Sequence, residues 1–464
     1  MTRKVLTSVI ALALVLLAGV GIRAWTASDS PGKGGEARGS DGPTVAKARH
    51  APVPPARRVP RGKGGKLDDD FNGDGYRDLV IDELVKRRQD VHGDDAGIGI
   101  VYGTKAGGLD PAVRQLLSPA RNATATKGVL PAAFDAQTSC DLDKDGYADL
   151  VIGADPPYDG IGTPPVPFQI LYGGPHGLTG KAVKLRVPKN ARAGRDWPDH
   201  PVCGDFDGDG GPDLALTAGA RKLSFLRGPF SRSGAPRGAS GPVPVRGSVL
   251  LSPRPLADVN GDGYDDLVVR AGDARKARGS SLLLGGPTGP GKPGAEFRAG
   301  YDLAFGRFGE RAAGDVAVGE RGRVSVRYDL PGGRRSTIAR AGGFGRALDA
   351  GDVNGDGRTD LVVTSGEGAD ARLTLLRGRA RGLSAAQARV LPTNGGSGKA
   401  SGVTGTSVLG LADFDGDKRA DLVVRTQQGV AQDSVTVFTG TKDGLAPKPG
   451  HGFSTAMFSA SSAG

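Results

Sequence analysis

The stretch DVNGDGYDDLV, residues 258–268, decides the fold of this chain because its pattern recurs along the sequence. Five further segments share the frame D-x-[D/N]-x-D-x-x-x-D followed by two apolar residues, and they begin at Asp70, Asp141, Asp205, Asp352 and Asp413. A seventh segment, RFGERAAGDVAV from Arg307, fits the frame but keeps only Asp315, at the ninth position. Recurrence in one frame, at a mean spacing of about 57 residues, is typical of a repeat architecture.

A second pattern lies inside each repeat, where an alternating strand runs into a glycine turn. Clear copies are IGIVYGTKAGGL from Ile98, FQILYGGPHGL from Phe168 and VTVFTGTKDGL from Val435. Alternation with period two predicts half-buried strands, and the glycine turns predict hairpins. Because acidic segments and hairpins alternate strictly, each repeat contains about four strands.

One four-stranded sheet cannot cover both of its own faces, whereas sheets packed radially cover each other and remove most edges. We therefore predict an all-β chain whose residues 67–464 form a seven-bladed propeller, with an open solenoid as the alternative. The C-terminal segment GFSTAMFSA, residues 452–460, resembles residues 343–352, which lead into an acidic segment. Only RGKGGK precedes the first acidic segment. The C-terminal strand is thus expected to close the ring by supplying the first strand of blade one.

The N-terminal residues have a different composition from the repeats. Arg3 and Lys4 precede an apolar run from Val5 to Ile22, which predicts a signal peptide or an uncut membrane anchor over residues 1–27. Residues 28–66 have few large apolar side chains, so we expect a disordered tether rich in glycine, proline and basic residues.

The formal net charge of +11 comes mostly from these N-terminal residues. The tether has nine basic and three acidic residues, and residues 1–27 add three basic ones, which leaves about +2 for the repeats. The positive net charge of the chain therefore gives no support for a nucleic-acid partner. We expect the N-terminal residues to tether the protein to a membrane. We expect the propeller itself to be monomeric.

The acidic segments resemble the FG-GAP repeats of the integrin α-subunit propeller and the related VCBS repeats of secreted bacterial proteins. The resemblance covers about residues 68–460 and includes the glycine-phenylalanine element at Gly343, Phe344 and Gly345. It implies a seven-bladed propeller with calcium on one face and ligand binding on the other. No segment resembles the inserted adhesion domain of some integrins, and a role as a true integrin subunit is not supported.

The oxygen-rich positions of the six complete segments fit Ca²⁺, which prefers six to eight oxygen ligands. Positions one, three, five and nine offer side chains, and position seven offers a backbone carbonyl. In order, these are Asp70, Asn72, Asp74, Tyr76 and Asp78; Asp141, Asp143, Asp145, Tyr147 and Asp149; Asp205, Asp207, Asp209, Gly211 and Asp213; Asp258, Asn260, Asp262, Tyr264 and Asp266; Asp352, Asn354, Asp356, Arg358 and Asp360; and Asp413, Asp415, Asp417, Arg419 and Asp421. The alternative is a set of Asx turns at hairpin ends.

The six predicted calcium sites are not equivalent. Three loops have four carboxylates and three have an asparagine at position three. Lys418 stands where the other loops have the sixth-position glycine, and a left-handed backbone costs a non-glycine residue about 1 kcal/mol. This site is expected to be the weakest. Arg307 and Arg311 replace acids in the fifth segment, which we expect to hold no metal. All six ions are predicted to be structural.

The only cysteines, Cys140 and Cys203, precede acidic segments of neighbouring repeats. In an exported protein they either form a disulfide or remain buried thiols, because inner strands of adjacent blades can lie too far apart for a bond. The five histidines show no ligand spacing.

Long loops at the end of the blades opposite the acidic segments are candidates for ligand binding. They contain Arg87, Arg88, Tyr158, Arg195 and Trp197, and exposed aromatic and arginine residues are favoured at binding hot spots. The alternative is that these loops are variable and bind nothing.

The sequence favours an exported or cell-surface binding and adhesion module that recognises an extracellular protein or glycan. A secreted propeller enzyme, a hydrolase or lyase of polysaccharides or phosphoesters, is the second reading, because this scaffold hosts many chemistries. A structural component of the cell envelope is the third. Enzyme activity stays undecided at this level because no catalytic motif is present.

Overall fold

A computed structural model describes residues 53–85, 97–105, 107–272, 276–309, 313–330, 332–340, 344–392, 403–429 and 432–460. All of these residues belong to one compact unit, Ser40–Gly464. The predicted signal peptide or anchor and most of the predicted tether lie outside the described residues. Within the described part, no helix has the length and apolar character needed to cross a bilayer.

Seven antiparallel sheets follow one another along the chain, and six of them have four strands. Their strands, blade by blade, are β1 (Leu79–Ile81), β2 (Ile98–Val101) and β3 (Arg114–Leu117); β4 (Phe134–Cys140), β5 (Asp149–Ala154), β6 (Phe168–Leu171) and β7 (Val183–Lys184); β8 (Asp199–Gly204), β9 (Asp213–Thr217), β10 (Lys222–Arg227) and β11 (Gly238–Pro244); β12 (Val249–Leu251), β13 (Leu267–Arg270), β14 (Arg278–Leu284) and β15 (Lys292–Gly300); β16 (Asp302–Gly306), β17 (Asp315–Glu320), β18 (Arg323–Arg327) and β19 (Arg335–Ala339); β20 (Ala347–Gly351), β21 (Asp360–Ser365), β22 (Arg372–Leu376) and β23 (Arg389–Val390); and β24 (Gly405–Ala412), β25 (Asp421–Gln427), β26 (Asp433–Phe438) and β29 (His451–Phe453).

The remaining regular elements are short. A two-stranded ribbon, β27 (Gly440–Thr441) and β28 (Gly444–Leu445), lies at the tip of the last blade. Among the described residues, the helices are α1 (Pro119–Asn122) and α2 (Ala456–Ala460), with single 3₁₀ turns at Lys189–Ala191, Gly368–Asp370 and Ala385–Gln387. The predicted all-β, seven-bladed propeller is therefore confirmed.

The core consists of seven apolar clusters, and each cluster joins two neighbouring blades. Ile100 of blade one, for example, packs with Ile152 of blade two. The cluster that closes the series contains Leu79 and Val101 of blade one together with Val423 of blade seven. Because this last cluster joins the final blade to the first, the sheets form a closed ring, and the open solenoid is excluded.

The C-terminal segment takes part in ring closure, but not by the predicted strand pairing. β29 pairs with β26 as the outer strand of blade seven, and the described residues of blade one form three strands. Beyond β29 the chain turns into α2, and the ring of Phe458 lies so close to β2 that a Cβ atom at Gly99 would be 2.6 Å from it. Thr455 Oγ1 accepts a hydrogen bond from Val85 N at 3.0 Å. Closure thus depends on packing and hydrogen bonds rather than on a shared sheet.

Some residues before the predicted boundary at residue 67 form hydrogen bonds with the propeller. Arg57 N donates to Ala112 O at 2.7 Å, Lys63 N to Gly73 O at 2.9 Å and Gly65 N to Gly146 O at 2.7 Å. Residues 57–65 therefore run from the outer part of blade one across the first two acidic loops. Hydrogen bonds from their backbone hold them there, together with Val59, which packs against the apolar cluster of blades one and two.

Candidate metal loops and ligand face

In the four-stranded blades each acidic segment forms a loop between the first and second strands, and in blade one it comes directly before β1. The first aspartate is wrapped by the loop backbone: Asp141 accepts hydrogen bonds from Asp145 N at 3.0 Å and Gly146 N at 2.8 Å. The fifth-position aspartate accepts from the residue two positions later, as Asp145 does from Tyr147 N at 3.1 Å. These are the bonds of Asx turns, so the local hydrogen bonding alone does not distinguish a metal loop from a plain turn.

The ninth-position aspartate ties two strands together in every blade. Asp149 accepts from Leu142 N at 2.9 Å and from Gly173 N at 2.8 Å, the second donor lying after the third strand. The same pair of backbone bonds is made by Asp78, Asp213, Asp266, Asp360 and Asp421. Asp315 of blade five likewise accepts from Phe308 N at 2.7 Å and Asp329 N at 2.9 Å.

This role was missed at the level of sequence, where the ninth position was assigned to the metal alone. The signal was present, because the loop at Arg307 has lost its other acids and still keeps Asp315. The ninth carboxylate is needed for strand pairing whether or not an ion is bound, although its remaining lone pairs can also face an ion.

Two positions in each loop have a left-handed backbone. Lys418, at position six, has φ 68°, in line with the prediction that this position is left-handed. Position four is left-handed as well, and there loop two has Lys144 with φ 60° in place of the glycine found elsewhere. The loop at Asp141 therefore also contains a strained lysine, which the sequence analysis did not anticipate.

Orphaned oxygen atoms provide a test of whether the loops fit a cation. Asn72 Oδ1, Asp143 Oδ1, Asp205 Oδ1 and Asn354 Oδ1 are buried and have no hydrogen-bond partner. All four atoms stand at predicted ligand positions one or three. Burying an acceptor without a partner costs about 1–3 kcal/mol, and a bound cation would remove that cost. The donor set, oxygen atoms alone, matches a hard divalent ion such as Ca²⁺.

Carboxylates converge in the three loops that have an acid at position three. Asp141, Asp143 and Asp149, then Asp205, Asp207 and Asp213, and finally Asp413, Asp415 and Asp417 each bring one oxygen within 4.8 Å of the others. In the loops at Asp70, Asp258 and Asp352 an asparagine occupies position three. These three loops, including the one at Asp413, thus each bring three acidic side chains together.

Arginines lie against several of these acids. Arg232, from the turn after β10, contacts both Asp143 and Asp145 of loop two. Arg237 contacts Asp209, and Arg227 Nε lies 2.9 Å from Asp207 Oδ2. Positive charge at these points offsets repulsion between the carboxylates, and it would also compete with an incoming cation.

Burial raises the pKa of the ninth-position carboxyls. The pKa rises to about 8 at Asp149, to about 7 at Asp213 and Asp421, and to about 6 at Asp266 and Asp360. Desolvation is the main cause, neighbouring acids of the same loop add to it, and the backbone N–H groups oppose it. Metal-free loops of this kind favour protonation, and a bound cation would favour the ionised forms.

The two cysteines are paired. Cys140 at the end of β4 and Cys203 on β8 form a disulfide between the inner strands of blades two and three, with their Cα atoms 6.4 Å apart. That separation lies within the range that a disulfide spans. The sequence left open a disulfide or two buried thiols, and the structure contains the disulfide.

The predicted ligand face brings together residues from two loops at the end of the blades opposite the acidic loops. The rings of Tyr158 and Trp197 meet edge to face, with centroids 5.6 Å apart. Trp197 is 36% exposed, and neighbouring Ile161 is 80% exposed. Arg195 is exposed two residues before Trp197, whereas Arg87 and Arg88 lie outside the described residues.

A central cavity of about 930 Å³ runs between the inner strands. Asp69, Arg77 and Arg254 line one side, where Arg254 Nη1 lies 3.7 Å from Asp69 Oδ2 and Arg77 Nη1 lies 3.8 Å from the same oxygen. Asp349 of β20 lines another side, and burial raises the pKa of its carboxyl to about 7, with Asp302 adding to the effect. No sequence motif pointed to these cavity residues.

Comparison with known proteins finds matches to two family models. The model described as an FG-GAP-like repeat matches residues 352–424, and the model described as an FG-GAP repeat matches residues 255–289. The first stretch contains two complete acidic loops, at Asp352 and Asp413, and the second contains the one at Asp258.

Among curated proteins, the chain is similar to the phosphatidylinositol-glycan-specific phospholipase D of Bos taurus, at 30% identity over 220 residues. The match covers 42% of this chain and 24% of the phospholipase, so the chain spans about a quarter of that relative. Among solved structures, an Agrocybe aegerita lectin that recognises non-reducing terminal N-acetylglucosamine aligns over 86% of this chain and 92% of the lectin, at 14% identity and a TM-score of 0.46. The rhamnogalacturonan lyase YesW aligns over 84% of this chain and 75% of the lyase, at 17% identity and a TM-score of 0.41.

Proposed function

Since this chain is an FG-GAP repeat β-propeller protein, we propose that it acts outside the cytoplasm as a calcium-stabilised binding module. Its partner, an extracellular protein or a glycan, docks on the face that carries Tyr158 and Trp197. The propeller is monomeric in this proposal and has no nucleic-acid partner.

Calcium is assigned to the loops on the chemistry of their oxygen atoms. Positions one, three and five supply side-chain oxygens, position seven a backbone carbonyl and position nine a carboxylate shared with the strand backbone. The orphaned oxygens of Asn72, Asp143, Asp205 and Asn354 support this assignment. The ion's role is structural, because it neutralises the acids that cluster in each loop directly before a strand of the blade.

Export is supported by the Cys140–Cys203 disulfide, since such bonds persist mainly in oxidising compartments. It is also supported by the positive start and apolar run of residues 1–27. In this proposal the protein acts at the cell surface or in the medium, with the basic residues before the propeller next to the envelope.

The exposed Tyr158–Trp197 pair is the observation that carries the binding role. Isolated exposed apolar residues are ordinary, but an aromatic pair whose two loops also expose Ile161 and Arg195 has the composition expected of a binding hot spot. Tyr158 Oη donates to Gly162 O at 2.8 Å, so the pair is held in place before any partner arrives. Both loops belong to the same side of blades two and three.

A binding screen of residues 53–464 on immobilised glycans and on extracellular proteins tests this role. We expect Trp197→Ala and Tyr158→Ala to abolish capture of whatever the wild type retains, with unchanged thermal unfolding. Val243→Ala, at another exposed apolar residue in blade three, is the matched control and should leave capture intact. If the aromatic variants capture the same partner equally well, the proposed face is wrong.

A secreted phosphoester hydrolase is the second candidate. The similarity over 220 residues to a phospholipase D and the central cavity with Asp69 and Asp349 favour it over the other enzyme classes. The test is hydrolysis of phosphodiester substrates by wild type and by Asp349→Asn. Hydrolysis by wild type that is lost in Asp349→Asn would support the hydrolase proposal. If calcium-loaded wild type hydrolyses none of these substrates, the hydrolase proposal is wrong.

A further inference from the structure

A cleft of about 160 Å³ lies between the outer strand β15 of blade four and the sheet of blade five. Its floor is apolar and includes Phe297, Val316 and Val318. Its walls carry Arg298, Arg327 and Arg335 together with one acid, Glu296. This combination of apolar floor and cationic wall is unrelated to the acidic loops and to the aromatic face.

Two of the arginines stand directly opposite each other on neighbouring strands. Arg327 of β18 pairs in register with Arg335 of β19. Like charges in directly opposite positions destabilise a sheet. Arg327 is also partly buried, and its Nε atom is buried with no hydrogen-bond partner. Burial, with a smaller contribution from Arg335, lowers the pKa of the Arg327 guanidinium.

The acids around the cleft are already engaged. Glu296 lies 2.7 Å from Arg246 Nη1, and Glu320 accepts from Arg323 Nε at 2.7 Å. Arg298, Arg327 and Arg335 have no carboxylate partner within the part of the chain that the structure describes. The nearest acceptor for Arg327 is the backbone oxygen of Glu296, at 3.5 Å from Nη1.

We propose that this cleft binds a small oxyanion that carries an apolar group, such as an organic sulfate, phosphate or carboxylate. The guanidinium groups of Arg327 and Arg335 hold the anion, because arginine presents several N–H donors in a fork that matches planar or tetrahedral oxyanions. The apolar group lies on Phe297, Val316 and Val318. A bound anion relieves the repulsion between the two arginines and gives the buried Nε atom an acceptor.

Phenyl sulfate is the probe, because it contains both chemical parts and does not precipitate calcium. Isothermal titration of the calcium-loaded full chain should show one site, with inorganic sulfate binding more weakly and phenol not binding. Phenyl phosphate and benzoate then show which oxyanion the site prefers. Affinity should fall as ionic strength rises.

Three variants decide the assignment. Arg335→Gln and Arg327→Gln should each weaken phenyl sulfate binding about tenfold or more, since each removes a charge-assisted bond. Arg335 is exposed, so its variant is expected to fold even if Arg327→Gln does not. Arg372→Gln, at an exposed arginine of β22 in the next blade, should bind as wild type does. Binding that is unchanged in Arg335→Gln, or absent from wild type at millimolar probe, would overturn the proposal.

Discussion

Arg425 and Asp433 form a buried ion pair where the last blade meets the first, with Arg425 Nε donating to Asp433 Oδ2 at 2.8 Å. Their side chains are 4% and 0% exposed. Arg425 Nη2 also donates to Glu83 O of blade one at 2.8 Å, and Asp433 Oδ2 accepts from Thr455 Oγ1 at 2.7 Å. Since Thr455 Oγ1 in turn accepts from Val85 N, one polar network joins blade one, blade seven and the C-terminal turn.

Replacing Asp433 with asparagine should lower the free energy of unfolding by about 3–5 kcal/mol, because a buried guanidinium loses its counter-charge. Denaturant unfolding in calcium measures the loss. Lys127→Gln removes an exposed pair with Asp159 and should leave the free energy of unfolding nearly unchanged, because exposed ion pairs contribute little. A loss in Asp433→Asn no greater than in this control would show that the apolar cluster alone closes the ring.

The double role of the acidic loops can be separated by two substitutions. Asp315→Asn in blade five should lower the free energy of unfolding by about 2–4 kcal/mol, because one backbone N–H would then face an amide NH₂ instead of a carboxylate oxygen. The loss should be the same in calcium and in chelator. Asp143→Asn should leave the chelated protein almost unchanged, since three other loops have asparagine at this position, but it should reduce the stabilisation that calcium adds. A calcium-dependent effect at Asp315 would contradict this division.

The repeat predicted the blades because each one is a local unit: the acidic loop, the two strands around it and the hairpin lie within about 57 residues. Ring closure is not local. The sequence resemblance of residues 452–460 to residues 343–352 could not show which sheet edge β29 would join. In the structure β29 joins the outer edge of β26. The residues after β29 are positioned by the packing of Phe458 on Gly99, a contact between the C-terminal segment and blade one.

The candidate metal loops and the ligand face were also predicted only in part, because some of their contacts join segments that are distant in sequence. Residue types and spacing identified the loops, and topology placed Tyr158 near Trp197. The role of the ninth-position aspartate in joining two strands could not be predicted without knowing that Gly173 and its equivalents lie next to this carboxylate in the fold. The cavity residues Asp69 and Arg254 come from blades that are distant in sequence, so no spacing could have joined them.

The disulfide should contribute about 2–4 kcal/mol, because it closes a loop with a sequence separation of 63. The double variant Cys140→Ser/Cys203→Ser is therefore expected to unfold at lower denaturant than wild type, and reduced wild type should match it. Thiol titration of the unreduced, denatured protein is the direct check. Two reactive thiols per chain would mean that the bond is absent.

Asp349 should make stability depend on pH in a definite direction. Burial raises its pKa to about 7 in the folded protein, above the value of about 3.9 in an unfolded chain. The folded state therefore holds the proton more tightly, and the resulting stability is present below about pH 4 and is lost as the pH rises through about 7. Asp349→Asn removes this dependence and should be more stable than wild type at pH 8 by more than about 1 kcal/mol, since each tenfold change in proton affinity is worth about 1.4 kcal/mol. Unfolding in saturating calcium from pH 5 to 8 measures the difference, and Asp155→Asn, at an exposed carboxylate, should show none. A difference between Asp349→Asn and wild type that stays constant over this range would mean that Asp349 is ionised throughout and that water reaches its carboxylate freely from the central cavity.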